Sequence, residues 1–122
     1  MRKIEAIIRH SALQAVQDAL DALGVSGLTV SEVKGCGRQK GYTETYRGAQ
    51  ANISLLPKIK VETVVPAALA DQAVEAICQA ARTGEIGDGR IFVVAVEQAV
   101  RIRTNERGED VVRAEEPRSW GH

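Results

Sequence analysis

Apolar and polar positions alternate from Lys3 to Arg9. Ile4, Ala6 and Ile8 share one side and Glu5, Ile7 and Arg9 the other, which predicts a half-buried strand. The spacing then lengthens. Leu13, Val16, Leu20 and Leu23 recur at helical intervals, with Ser11 as N-cap, Gln14 completing a capping box, and Gly24 where a left-handed residue closes a helix. Leu28 to Lys34 carries enough β-branching for a second strand. At Gly35 the pattern breaks into a polar stretch punctuated by Gly37, Gly41 and Gly48, far too long for a hairpin turn and of the length that is usually functional or disordered. Alternation resumes from Lys58 to Val65, with Ile59, Val61, Thr63 and Val65 on one side. Pro66 stops that strand and can open a second helix, whose buried side is marked by Leu69, Ala73, Ala76, Ile77 and Ala80 and which ends near Thr83-Gly84. After a short glycine-rich loop, Ile91 to Val96 is apolar on both faces and reads as a central strand. A basic segment, Arg101 to Thr104, precedes a charged tail expected to be poorly ordered.

The order is strand, helix, strand, long loop, strand, helix, strand. This is the βαββαβ pattern of a ferredoxin-like α+β sandwich, an antiparallel sheet with both helices on one face. Two helices leave the other face bare. That face carries Ile7, Val64 and either the Phe92, Val94, Val96 row or the Ile91, Val93, Ala95 row. An uncovered apolar patch marks an interface, so self-association follows but its stoichiometry does not.

Composition narrows the function classes. The 122 residues suffice for one domain with a core of its own. Formal net charge is zero and aromatics are 3%, which argues against a nucleic-acid surface and against general attraction to an acidic membrane. No run approaches the length needed to cross a bilayer, and MRKIEAIIRH has no signal-peptide layout, so a cytoplasmic protein without direct membrane insertion is expected. Cys36 and Cys78 are too far apart for a zinc motif and read as free thiols, and His10 and His122 belong to no ligand set.

Three segments could carry chemistry: Gly35-Cys36-Gly37-Arg38-Gln39-Lys40, Thr83 to Arg90, and Arg101-Ile102-Arg103, which in an extended conformation puts two guanidinium groups on one side. Glycines let backbone N–H groups approach phosphate oxygens, and arginines add charge in a bidentate fork. The alternative is two ordinary turns and some solvated charge, and neither loop fits the Walker or dinucleotide patterns. No nucleophile elbow, triad or positioned general base is present, so no enzyme is expected.

Taken together, MRKIEAIIR, TVSEVKGCGRQKGYTETYRGA, LPKIKVETVVP, ARTGEIGDGRIFV and EQAVRIRT, in order and without a gap from Met1 to about Gly108, resemble the PII signal-transduction proteins of nitrogen regulation. The resemblance implies a homotrimer whose sheets face inward, with a nucleotide site between neighbouring subunits. It implies a domain over 1–108 with a T-loop at about 36–55, a B-loop at 83–90 and a C-loop from about 101, followed by the tail at 109–122. It places ATP or ADP against Gly35, Cys36, Gly37, Arg38 and Gln39 at the T-loop base and against Gly87, Asp88, Gly89 and Arg90. Arg101 and Arg103 reach in from the neighbouring chain, and Ile7, Thr29, Glu62 and Val64 surround base and ribose. With ATP, Mg2+ bridges the phosphates and 2-oxoglutarate. Gln39 is a metal ligand, Lys58 pairs with a carboxylate, and Gly87 lies beside the keto acid.

The T-loop tip, Tyr46, Arg47 and Gly48, implies a partner such as an ammonium channel or a metabolic enzyme, which would draw the protein to the inner face of the membrane. Departures exist. Position 90 more often holds Lys. Ala51 stands where many members of the family have a modified Tyr, and Ala49 where some have a modified Ser, while Tyr42 and Tyr46 remain. Competing expectations are a diverged PII paralogue serving another transporter or enzyme, for instance in inorganic-carbon uptake, and a slow ATP-hydrolysing enzyme.

Overall fold

The structure, a computed structural model, describes residues 1–25, 27–37, 45–46, 49–50 and 54–113. Strand β1 spans Arg2–Ile8, helix α1 Leu13–Ala22, β2 Thr29–Gly37, β3 Thr45–Tyr46, β4 Ala49–Gln50, β5 Ser54–Val65, α2 Ala70–Ala81 and β6 Gly89–Ala95. The four long strands form one antiparallel sheet in the order β2-β5-β1-β6, and β3 pairs with β4 separately. This is the ferredoxin-like α+β architecture.

The period-two pattern decides which face is covered. Ile4, Ala6 and Ile8 of β1 and Ile59, Val61 and Val65 of β5 form one buried cluster with Val16 and Leu20 of α1 and with Ala70, Ala73, Ile77 and Ala81 of α2. Three of the four buried α2 residues are alanines, which let the helix backbone approach the sheet closely. Thr63 shares this face and is the buried polar residue among those described; its hydroxyl donates to the Gly27 carbonyl at 2.8 Å, so no polar group is stranded. Truncating Ile77, at 1% exposure, falls in the class of core changes that cost about 2–5 kcal/mol.

Register settles the strand rows left open by the alternation. Glu5 lies opposite Phe92 and Lys3 opposite Val94, so Phe92 and Val94 are on the bare face, whereas Ile91 and Val93 lie opposite Ala6 and Ile4 on the helix side. The bare face is not uniformly apolar. Lys3, Glu5, Lys60 and Glu62 form an alternating charge cluster across β1 and β5, with Lys3 to Glu62 at 2.8 Å and Lys60 to Glu5 at 3.1 Å.

Three expectations need correction. Ser11 caps no helix: a 3-10 turn over His10–Ala12 leads into α1, neither end of that turn is closed by a side-chain cap, and Gln14 instead donates to Asp18 at 3.0 Å. The doubly apolar β6 is an edge strand of the described sheet, not a central one, with Phe92, Val93 and Val94 all about half exposed. The long loop also begins later than Gly35. β2 runs on to Gly37, paired with Ser54, so the feet of the loop belong to the sheet.

Candidate functional site

The candidate residues gather at the two ends of β1. Near its start, a cleft of about 820 Å³ is lined by Thr29 of β2, by Glu62 and Val64 of β5, and by Arg101. Thr29 sits directly across from Glu62 in the ladder, so the antiparallel register itself brings these two together. Residues 108–112 form a short 3-10 helix, and Val111 and Val112 wall the same cleft.

Every charged side chain among the described residues lining the cleft is in an ion pair. Lys3 meets Glu62 at 2.8 Å, Arg101 meets Glu106 at 3.2 Å, and Arg113 meets Asp110. The hydrogen bond from Lys3 holds the Glu62 carboxyl below its ordinary range, and Glu62 in turn raises the Lys3 ammonium above its own.

At the far end of β1 lie Ile7, Arg9, Lys58, Gly35 and the loop at 83–90. Lys58 Nζ donates to the Gly87 carbonyl at 2.7 Å, and Arg9 Nη2 donates to the Ile86 carbonyl at 2.8 Å. A Cβ at Gly87 would stand 3.1 Å from the Arg9 guanidinium and 3.6 Å from the Lys58 ammonium, so two cations converge on one glycine. At Gly89 a Cβ would lie 1.8 Å from the Ile7 carbonyl oxygen, and the residue has φ of 112°. Only glycine fits there.

Asp88 shapes this loop. Its carboxylate accepts hydrogen bonds from the Thr83 hydroxyl, from the Thr83 N–H at 2.8 Å and from the Gly84 N–H at 2.8 Å, with Arg9 Nε at 3.4 Å. These donors, the Thr83 hydroxyl first, hold the carboxyl far below the usual carboxylate value. An anion so engaged closes the loop on itself.

The two clusters are separate. β1 puts three residues between Lys3 and Ile7, a span of about 13 Å. The cleft of Thr29, Glu62, Val64 and Arg101 contains none of Gly87, Asp88, Gly89 or Arg90; the last three line a smaller recess beside Cys78.

The segment Arg101-Ile102-Arg103 is turned, not extended, because the Asn105 N–H closes back onto the Arg101 carbonyl at 2.7 Å and Asn105 adopts φ of 63°. The two guanidinium groups consequently do not share a side by strand alternation, and Arg103 is absent from the described lining of the cleft. Cys36 and Gly37 are described as backbone in β2 and Tyr46 as backbone in β3. Arg38, Gln39, Arg47 and Gly48, with Tyr42 and Ala51, lie outside the described residues.

Arg9, Lys3, Glu106 and the contact of Thr83 with Asp88 escaped the sequence reasoning. Arg9 could have been found from its place on the Ile7 side of β1. The other three contacts depend on register or on turns that leave no periodic mark.

A family model described as "Nitrogen regulatory protein P-II" matches residues 1–106. The chain belongs to the P-II family. Among its relatives, the nitrogen regulatory protein P-II of Cereibacter sphaeroides is 58% identical and that of Rhodospirillum rubrum 57%, each over 92% of this chain and 100% of the relative. The Haemophilus influenzae protein of the same name is 54% identical over the same shares. P-II membership makes nitrogen signal transduction the setting for this chain. Among the described residues, no helix of this P-II chain is long and apolar enough to cross a membrane.

Proposed function

We propose that this P-II chain is a cytoplasmic, trimeric, non-enzymatic sensor that binds ATP or ADP at sites shared between neighbouring subunits. The observation that carries this reading is the separation of the two clusters on one chain. The cleft of Thr29, Glu62, Val64 and Arg101 offers base- and ribose-sized space with a guanidinium at its wall. The loop of Gly87, Gly89 and Arg90 offers backbone amides and charge. The cleft lacks the glycine loop and the loop lacks the cleft, and the start of β1 in one copy set against its end in the next would bring both to one nucleoside polyphosphate. The half-exposed Phe92–Val94 edge supports the required contact between copies.

The glycines fit a phosphate. Gly87 and Gly89 both have positive φ and no Cβ, and Gly87 lies beside the Arg9 and Lys58 cations. In the 2-oxoglutarate state, Lys58 exchanges the Gly87 carbonyl for a carboxylate of the keto acid, and Arg9 stands close enough to join it. Gln39 would offer an oxygen ligand to magnesium, which would offset phosphate charge beside the keto acid. Lys58 is half-buried and already aimed at Gly87, so the exchange needs little movement. Gln39 lies at the base of the long loop, so occupancy would decide how Tyr46, Arg47 and Gly48 meet a partner, with an ammonium channel as first choice.

Mixed assemblies test the sharing directly. Arg90→Ala removes one half of the site and Arg101→Ala the other, and each alone should weaken ATP binding at least about tenfold, as loss of a charge-assisted bond implies. Refolded together, the two variants should recover some tight sites, because an intact Arg90 and an intact Arg101 then meet at some interfaces. Isothermal titration counts them. If no mixture recovers a tight site while the unsubstituted chain binds ATP, the site lies within one chain and the shared reading is wrong.

A further inference from the structure

Arg101 does not wait in solvent for a phosphate; it already has an anion. The turn from Arg101 to Glu106 is built to supply it. The Asn105 N–H closes onto the Arg101 carbonyl at 2.7 Å, and the Arg101 N–H donates to the Glu106 carbonyl at 2.9 Å, which folds the chain back on itself. Asn105, at φ of 63°, makes the reversal, a conformation Asn tolerates better than most residues. The Thr104 hydroxyl then fixes the acid, donating to Glu106 Oε1 at 2.8 Å and accepting the Glu106 N–H at 3.3 Å. So held, Glu106 Oε1 lies 3.2 Å from Arg101 Nε, and both side chains line the same cleft.

We propose that Glu106 is an internal competitor for Arg101: its carboxylate occupies the guanidinium, a polyphosphate must displace it, and the exchange sets the affinity of the site. The proposal rests on the nucleotide reading above. Arginine cannot shed its proton, so it pairs with whichever anion is present, and its fork suits carboxylate and phosphate alike. The pair is 43% and 51% exposed, which keeps the resident bond weak and the exchange reversible. A phosphate chain carries more charge than one carboxylate and wins at sufficient concentration. Thr104 acts as a positioning residue, because it determines where the carboxylate stands before the exchange.

The test is titration of the full chain with ATP and with adenosine, which lacks the phosphates. Glu106→Gln keeps the shape and removes the charge. It should tighten ATP about twofold to fivefold, the range that exposed ion pairs imply, and leave adenosine unchanged. Thr104→Val should move ATP affinity the same way by less. The gain should vanish when Glu106→Gln is combined with Arg101→Ala, and should shrink at high salt. Glu109→Gln, an equal change of charge on an exposed neighbouring residue, separates the pairwise effect from general repulsion and should do less. An unchanged or weakened ATP affinity in Glu106→Gln overturns the proposal. So does a gain that persists without Arg101, or one that Glu109→Gln reproduces. Failure of the unsubstituted chain to bind ATP overturns the nucleotide reading and this proposal together, whereas binding without the gain overturns this proposal alone.

Discussion

Gly84 and Gly89 sit five residues apart in one loop and both have positive φ, yet they are constrained for different reasons. A Cβ at Gly84 meets nothing within 4 Å, so Gly84→Ala carries only the backbone cost of φ near 90°. A Cβ at Gly89 meets the backbone of β1, since the Ile7 carbonyl lies 1.8 Å away, and no rotamer can relieve that. Gly89→Ala is therefore expected to destabilise by more than the ~1–3 kcal/mol of backbone strain alone, and by clearly more than Gly84→Ala. Urea unfolding of the two variants against the parent measures both. Equal losses would mean that the close approach of β6 to β1 gives way easily.

At the scale of elements, the loop at 83–90 is held by one carboxylate. Asp88 bonds donors from Thr83, Gly84 and Arg9 and is thereby kept ionised well below its ordinary value of 3.8. The sign follows from linkage. The folded carboxyl titrates lower than the unfolded one, so its contribution is complete above the unfolded value and is lost as pH falls below it toward the folded value. The loop should thus loosen in acid below about pH 4 and be indifferent to pH near neutrality. Amide exchange at Thr83 and Gly84, followed from neutral pH downward, should show protection falling in that window. Asp88→Asn should flatten the acid limb of the stability curve. An acid limb unaltered by the substitution would place the titrating group elsewhere.

For the whole molecule, the question is what covers β6 and the bare sheet face. Phe92 and Val94 flank the cluster of Lys3, Glu5, Lys60 and Glu62, so the face is apolar at its edge and charged at its centre, with the charges mutually paired. Paired charges can be enclosed between copies at far less cost than lone ones. Phe92, at 50% exposure, is where a contact is most sensitive. Phe92→Glu adds a like charge directly opposite Glu5 and removes the aromatic anchor. Sedimentation should then show dissociation toward monomer, accompanied by loss of ATP binding if the site is shared. An assembly that persists with full ATP binding would move the proposed interface away from this edge.

The alternation in β1 and β5 and the helical spacing around Val16, Leu20, Ala73 and Ile77 were enough to specify the ferredoxin-like sandwich and its core, because burial of one face follows directly from side-chain period. Segment order and content were likewise enough to place the chain in its family, a likeness the comparisons bear out. Capping at Ser11 was misread because a 3-10 turn is locally as compatible with His10-Ser11-Ala12 as an N-cap is. β6 was misread as central because two-sided apolarity does not by itself fix a strand's place in the sheet. What only the tertiary structure decided was proximity across distant segments. Register put Glu62 against Thr29 and Lys3. Loop closure set Arg9 and Lys58 around Gly87, and a left-handed Asn105 swung Glu106 onto Arg101. Such contacts leave no period in the sequence, since each depends on where two separately folded pieces of backbone come to rest.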